Sequence, residues 1–341
     1  CFFYYITPGL FRIEKNDLFP EKRGLSTQTN IFSVVFHLIF YASSLTLYRK
    51  CSILNTVQEI CIHFTVLIPE GARKERLCFM AIHSHTDIIF HGCHTAEVPS
   101  ASSERYEFDI HTHTIASGHG SAATITDMAK AAAARNLKML GISDHGPATL
   151  GGGRVSYFRN LAYAQKERLG VRILYGAEAN IIDRKGHLDL DDSVLAHLDY
   201  VIASMHKPVI KPGTEEENTE AYINAIKNPC VAVIGHCDDT RFPVDYFRLF
   251  QAAMEHHVLL EINNSSLSPE GYRGDTKFND LLILNLCCHF NYPVLFSSDS
   301  HGTGHVGDFT YAADAARLAG VPRSLILNYS AKAFLSFLDS R

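Results

Sequence analysis

The chain has 341 residues, of which 46% are hydrophobic and 20% charged, and its formal net charge is −5. This composition is typical of a folded soluble protein with one large domain or two ordinary ones, and the scattered Lys and Arg argue against a protein that coats nucleic acid. Nineteen histidines favour metal chemistry, and nine cysteines without a Cys-x-x-Cys pair predict reduced thiols and a cytoplasmic location.

Residues 1–104 lack the regular alternation of strands and helices that follows them. Residues 31–48 are strongly apolar and approach the minimum length of a membrane span, but polar residues such as His37 and Thr46 weaken that interpretation. The first methionine of the chain is Met80. We therefore predict that residues 1–104 are an N-terminal extension, extraneous or poorly ordered, and we keep a membrane anchor as the minority alternative.

From residue 106 the chain alternates short apolar strands with helices. The predicted strands cover residues 106–111, 138–143, 171–175, 198–203, 231–235, 258–262 and 294–298. The predicted helices cover residues 124–136, 157–168, 215–227, 246–256, 278–290, 312–319 and 331–338, and a hairpin is expected over residues 181–190. Nearly continuous apolar strands indicate parallel pairing with both faces buried, and repeated strand–helix units can close into a barrel. The predicted fold is therefore an α/β barrel of seven strands, formed by a domain of residues 105–341.

Histidines and carboxylates stand where the predicted strands end. They are His111, His113, His145, Glu178, His206, His236, Asp299 and His301, and they fall at six of the seven strand ends. His119 follows on a loop that can fold back to the same side. In strand–helix barrels the functional residues lie at the carboxyl ends of the strands, so we expect these side chains to converge.

The chemistry of these side chains suits transition-metal ions. Imidazole and carboxylate groups bind zinc, manganese or iron, and nine candidates exceed what one ion can hold. Two or three ions that share a bridging carboxylate would use them all, and such clusters favour attack on phosphorus. The sequence has no Gly-x-Ser-x-Gly motif, which favours water over a side chain as the nucleophile.

Three histidines in the extension, His83, His85 and His91, have the same spacing as the triplet that begins at His111. A polar stretch follows them, whereas the later triplet leads into the regular strand–helix pattern. We therefore exclude the earlier triplet from the site.

The segments DIHTHT, SGHG, ISDHGP, GAEANI, SMHKPV and SSDSHG contain eight of the nine candidate residues, and EINNSS is a further segment that contains none of them. Together they resemble the PHP (polymerase and histidinol phosphatase) domain, in particular its small bacterial trinuclear-zinc phosphatases, over about residues 106–340. The resemblance implies a distorted (β/α)7 barrel, a phosphoric ester hydrolase and bound Zn2+, with Mn2+ or Fe2+ as alternatives. The turn after His236 departs from the family pattern, which contains Pro-Gly at this point.

The resemblance also implies three ion sites. One ion is held by His111, His113, Glu178 and Asp299, a second by Glu178, His206 and His236, and a third by His119, His145 and His301. Hydroxide that bridges two ions would attack a phosphomonoester, with Glu178, Asp299 and His206 as the catalytic residues.

Other functions and contacts stay open at this point. A nuclease or phosphodiesterase acting on nucleic acid is one alternative, and a non-enzymatic metal-binding regulatory domain is another. We expect a small phosphorylated substrate, no stable nucleic-acid binding, and no membrane contact unless residues 31–48 span a bilayer. Asp144 could orient His145 or accept backbone N–H groups, and Arg154 and Lys207 could bind phosphate or form surface salt bridges.

Overall fold

The computed structural model describes residues 105–341 and three short strands before them, Ile60–Cys61, Met80–His83 and Asp87–Phe90. These three strands form a sheet of their own, in which Ile60–Cys61 pairs antiparallel with Met80–His83. The rest of the predicted extension, including residues 31–48, His85 and His91, lies outside the described residues, so the boundary at residue 104 stays a prediction. Among the helices described, none combines the length and apolarity that crossing a bilayer requires.

Seven strands of residues 105–341 form one parallel sheet whose order follows the chain. They are Phe108–Asp109, Met139–Ile142, Val171–Asn180, Tyr200–Ser204, Val231–Ile234, Leu259–Asn263 and Leu295–Ser297. Each strand pairs in parallel with the next. The predicted α/β barrel of seven strands is confirmed.

The first and seventh strands meet and nearly close the sheet. At the carboxyl end, Thr112–His113 continues the first strand and pairs in parallel with Ser300–His301, which continues the seventh. Nearer the amino end, the Asn328 side chain bridges the two strands. Its Oδ1 accepts from the Phe296 N–H at 2.8 Å, and its Nδ2 donates to the carbonyls of Phe296 at 2.9 Å and Phe108 at 3.3 Å. Asn328 therefore satisfies buried backbone groups where the strands diverge.

Side chains of the strands alternate between the inside of the barrel and the surrounding helices. Leu174, Tyr200 and Leu259 belong to the inner core, which also contains Phe334 of the last helix. Tyr200 needs the space beside Gly176, because a Cβ there would lie 2.6 Å from the Tyr200 ring. The same alternation turns residues further along each strand inward, toward the carboxyl end of the barrel.

The outer layer consists of helices that follow the strands. They are Ile125–Ala134, Val155–Leu161, Asp192–Leu195, Glu215–Ile226, Tyr246–Glu255, Asn264–Leu267, Lys277–Phe290, Thr310–Leu318 and Ala331–Asp339. The predicted N-cap of the first is confirmed: the Asp127 N–H donates to Thr124 Oγ1 at 3.2 Å, and the Thr124 N–H donates to Asp127 Oδ2 at 2.9 Å. This reciprocal pair satisfies N–H groups that a helix leaves unbonded in its first turn.

Two predicted boundaries were wrong. The helix predicted over residues 157–168 ends at Leu161, and Glu167–Arg168 pairs antiparallel with the start of the third strand instead. The intervening turn consists of Leu169 and Gly170, which have φ values of 54° and 75°, as a tight hairpin turn requires. The third strand extends to Asn180 because its second half, Gly176 to Asn180, pairs with the fourth strand.

Candidate metal centre

The structure brings all nine predicted side chains to the carboxyl end of the barrel. Seven of them follow or end a strand, Glu178 lies within the last three residues of the third strand, and His119 lies beyond a short 3-10 helix, Ile115–Ser117. His119 is the most exposed of the group, and its ring centroid lies 4.9 Å from that of His145 and 5.1 Å from that of His301. The convergence that the strand ends predicted is therefore observed, while the role of these residues as metal ligands stays a prediction.

Glu178 lies at the centre of the group and is fully buried. Its Oε1 lies 2.8 Å from His236 Nε2 and 3.2 Å from His206 Nε2. Its Oε2 lies 2.7 Å from His145 Nδ1, 3.4 Å from His111 Nε2 and 3.5 Å from His113 Nε2. The two oxygens thus face different imidazoles, which is the arrangement that a bridging carboxylate requires.

Asp299 provides the second carboxylate of the group and lies beside the end of the first strand. Its Oδ1 lies 3.2 Å from His113 Nε2 and 3.6 Å from His111 Nε2. Its Oδ2 accepts a hydrogen bond from Arg273 at 2.8 Å, and Arg273 is itself buried. One oxygen of Asp299 therefore faces the imidazoles while the other is held by a guanidinium.

Many polar atoms that face this cavity have no hydrogen-bond partner. They include His111 Nε2, His113 Nε2, His145 Nδ1, Glu178 Oε2 and His301 Nε2, all of them buried. Leaving a buried polar atom unpaired costs about 1–3 kcal/mol, so several such atoms around one cavity indicate a missing partner. The ligand atoms of three groups each lie within 4.8 Å of one another: His113, His145 and His301; His111, His113 and Asp299; His145, Glu178 and His206. These residues fit a centre of transition-metal ions.

In three of the rings, those of His111, His113 and His206, the nitrogen that points away from the cavity is hydrogen-bonded, whereas His236 Nδ1 is buried without a partner. His111 Nδ1 lies 2.6 Å from Glu261 Oε1, His113 Nδ1 lies 2.9 Å from Ser117 Oγ, and His206 Nδ1 lies 2.7 Å from Asn180 Oδ1. Partners of this kind fix the orientation of a metal-binding imidazole and leave the lone pair of the other nitrogen free. In all three rings the free nitrogen is Nε2, which faces the cavity.

The charges of the cavity shift the pKa values of its groups. Although burial by itself raises the pKa of the Glu178 carboxyl, His206, His145 and His111 hold it well below its usual range. Burial also opposes ionisation of Asp299, but His111 and Arg273 hold its pKa well below the usual range. Burial lowers the pKa of His113 and of His206. Burial also opposes protonation of His111, but Glu261, Glu178 and Asp299 raise its pKa well above the usual range. The cavity therefore combines ionised carboxylates with two imidazoles, those of His113 and His206, for which the neutral form that metal ligands need is favoured.

Two of the candidate residues have strained backbone. His236 and Asp299 have φ values of 27° and 53°, a region that residues with a side chain rarely adopt. Such conformations persist only where surrounding contacts hold them, and they are common at functional sites. Here the strain turns both side chains inward at the ends of the fifth and seventh strands.

Of the two alternatives that the sequence left open for Asp144, the structure shows the second. Asp144 accepts from the backbone N–H of Thr114 at 2.6 Å and not from the His145 ring; it also accepts from Ser117 Oγ at 2.7 Å, and so supports His113 through Ser117. Sequence reasoning missed Glu261, although a carboxylate inside the apolar strand Leu259–Asn263 was a signal that could have identified it. Arg154 and Lys207 are exposed, and a phosphate contact for them stays a prediction.

Comparison with known proteins decides the family. Residues 109–265 match the PHP domain. A probable phosphatase from Clostridium botulinum is 40% identical over 238 residues, which cover 70% of this chain and 96% of the relative. The chain belongs to the PHP domain family. A probable phosphatase from Clostridium novyi is 37% identical over 237 residues, again covering 70% of this chain and 96% of the relative.

Solved structures that are similar to this chain include a histidinol phosphate phosphatase. A histidinol phosphate phosphatase from Lactococcus lactis, crystallised with zinc, L-histidinol and phosphate, is 19% identical and has a TM-score of 0.46. The similarity covers 63% of this chain and 94% of that one.

Proposed function

We propose that this PHP-domain protein is a metal-dependent phosphatase that releases phosphate from small phosphomonoesters at a site for three ions. It is a phosphoric ester hydrolase, since relatives up to 40% identical over 96% of their own length are named probable phosphatases. The observation that carries the finer proposal is the ring of unpaired imidazole nitrogens around Glu178, whose two oxygens face different histidines.

The nine side chains divide into three ligand sets in this proposal. The first is His111, His113, Glu178 and Asp299; the second is Glu178, His206 and His236; the third is His119, His145 and His301. The second set has the simplest support, because His206 Nε2, His236 Nε2 and Glu178 Oε1 lie within 3.2 Å of one another. The three close groups of ligand atoms are related to these sets in different ways. His111, His113 and Asp299 all belong to the first set; His113, His145 and His301 combine the first with the third; His145, Glu178 and His206 combine the third with the second. His119 belongs to none of the three groups, and its ring lies 4.9 Å from that of His145.

The residues of the cavity have distinct parts in the reaction. When bound, the ions supply Lewis acidity, which makes water more acidic and stabilises charge that develops on phosphate oxygens. Glu178 and Asp299 balance the charge of the centre, and Arg273 fixes the orientation of Asp299. His206 is partly exposed, with 14% of its side chain accessible to solvent, and Asn180 holds its ring in one orientation.

A phosphatase panel on metal-loaded protein tests this function, with single-stranded DNA included as a competing substrate. We expect release of phosphate from at least one small phosphomonoester, loss of this activity with a chelator, and no cleavage of the DNA. Cleavage of DNA without phosphatase activity would favour a nuclease instead.

Metal analysis of protein prepared without chelator tests the number of ions. We expect about three transition-metal ions per chain from the ligand count. His145→Ala should lose at least one ion, whereas His187→Ala, which removes an exposed histidine paired with Asp183, should lose none. Fewer than about one ion per wild-type chain would contradict a centre of three ions.

A further inference from the structure

Glu261 is a buried carboxylate that accepts four hydrogen bonds beneath the candidate centre. It lies on the inner face of the sixth strand, two residues after Leu259 of the inner core. Its Oε1 lies 2.6 Å from His111 Nδ1 and also accepts from Ser297 Oγ. Its Oε2 accepts from the His236 N–H at 2.7 Å and from Asn263 Nδ2 at 3.0 Å. All the groups involved are buried, and among the four donors Asn263 Nδ2 has a second acceptor, Asp299 Oδ2 at 3.3 Å.

The contact with His111 selects one tautomer of that ring. A carboxylate oxygen can only accept, so Nδ1 carries a proton, and the neutral His111 ring then keeps its lone pair on Nε2. Nε2 is the unpaired atom that faces Glu178 and Asp299. Glu261 thus prepares His111 to bind the ion of the first ligand set.

The contact with His236 acts on the backbone rather than the ring. His236 has a φ of 27°. The hydrogen bond from its N–H to Glu261 Oε2 ties this strained residue to the sixth strand. The strain places the His236 ring so that its Nε2 lies 2.8 Å from Glu178 Oε1. The second oxygen of Glu261 therefore supports a ligand of a different ion.

We propose that Glu261 is a positioning residue that couples two ions of the centre, because one carboxylate fixes the His111 ring through Oε1 and the His236 backbone through Oε2. This inference rests on the ligand sets proposed above. It assigns no contact with substrate to Glu261. It predicts that damage to Glu261 weakens the binding of both ions together.

The variant Glu261→Gln separates this role from simple packing. An amide has the same shape but only one acceptor oxygen, so it can serve the donor of His111 or that of His236 but not both. We expect the variant to bind at least one ion about 10- to 100-fold more weakly, the range typical of lost partners of metal ligands. Titration with zinc after chelator treatment, followed by metal analysis, measures this without any assay of activity.

The matched control is Asn328→Asp, which exchanges the same two groups at another buried position of the barrel. It removes the donor to the carbonyls of Phe296 and Phe108, which lie three residues before Asp299 and His111 and thus nearer the amino end of the barrel. We expect a lower melting temperature and an unchanged ion content. If Glu261→Gln binds the same number of ions as the wild type with the same affinity, the proposal is wrong.

A second measurement does not need Glu261→Gln, in case that variant does not fold. Nitrogen-15 NMR of the zinc-loaded protein, with the His111 signals assigned by comparison with His111→Asn, reports which ring nitrogen carries the proton. A proton on Nδ1 supports the proposal, and a proton on Nε2 would overturn it. Zinc titration and NMR are both independent of phosphate release. They therefore test the role of Glu261 even if the protein has no phosphatase activity.

Discussion

At Glu178 a single residue brings together imidazoles from the first, second, fourth and fifth strands. The side chain is wholly buried, and its ionised form is maintained by His206, His145 and His111 against the effect of burial. A buried carboxylate at this position is stabilised by positive charge in the cavity, and cations in the proposed centre would supply it. Glu178 is therefore the residue whose loss should damage the centre most.

Three substitutions test this ranking on one phosphomonoester. His111→Ala should lower turnover by several orders of magnitude, because it removes a proposed ligand of one ion. Glu178→Gln should be at least as severe, because the proposed bridging carboxylate would serve two ions and an amide bridges poorly. His83→Ala should change turnover by less than about twofold, as expected for a residue outside the site.

Steady-state turnover and ion content of the three variants should be measured together. If His83→Ala is inactive while His111→Ala is close to normal, the first strand has been placed wrongly and the ligand sets built on it fail. The backbone of His83 lies in the described strand Met80–His83, whereas the position of its side chain is outside the described part of the chain.

Among the elements, the third strand does most to place the site. Its first half pairs with the second strand through Arg172 to Tyr175, and its second half pairs with the fourth through Gly176 to Asn180. This stagger puts Glu178 inside a paired strand rather than after one, and the Glu178 N–H donates to the carbonyl of Asp144 at 3.1 Å. The backbone of the bridging carboxylate is therefore rigid, which suits a group that must hold its position.

The start of the barrel is joined to its last helix by Glu107. Its carboxylate accepts from the Lys138 ammonium and from the Ala331 N–H at 3.0 Å, next to the start of Ala331–Asp339. The hydrogen bond from Lys138 lowers the pKa of Glu107 below its usual value of 4.5. A carboxyl with a lowered folded-state pKa stabilises the fold above its unfolded-state pKa, and this contribution is lost as the pH falls through the folded value.

Glu107→Gln should therefore lower the melting temperature at pH 7 by about 1–3 °C, a small effect because the pair is near the surface. The difference from the wild type should shrink as the pH falls from 4.5 through the lower folded-state pKa, below which Glu107 itself is neutral in the folded protein. Thermal unfolding at several pH values measures this. Glu270→Gln, at an exposed position, is the control and should show no such trend. A difference that is constant with pH would contradict an ionic role for Glu107.

For the whole molecule, the hydrophobic core found among the described residues consists of side chains of the barrel domain. The inner cluster runs from Phe108 to Phe337, and the outer cluster joins the strands to the surrounding helices. Asn328 and the pairing of Thr112–His113 with Ser300–His301 close the sheet between residues near the two ends of this stretch. The barrel domain thus contains both partners of the contacts that close it.

A chain of residues 101–341 should therefore fold and keep its activity largely intact. Circular dichroism, thermal unfolding and the phosphatase assay should give values close to those of the full chain. An insoluble or inactive product would show that residues before 101 contribute to the barrel.

Local patterns in the sequence were sufficient for the barrel and for the nine candidate ligands. Apolar runs of strand length mark buried parallel strands, and a barrel directs the residues after them to one end, so His145, His206 and His236 could be found without coordinates. The Thr124 cap was equally local, because both of its partners lie within four residues.

What only the tertiary structure decided depends on contacts between distant residues. Glu261 meets His111 across 150 residues, and Arg273 meets Asp299 from a loop that has no periodic pattern. The stagger of the third strand also depends on its two neighbours, since an apolar run does not say where pairing passes from one partner to the next. The composition of a strand indicates that the strand is buried. Which group pairs with a buried charge depends on the register of the strands in the sheet, and no short segment of sequence determines that register.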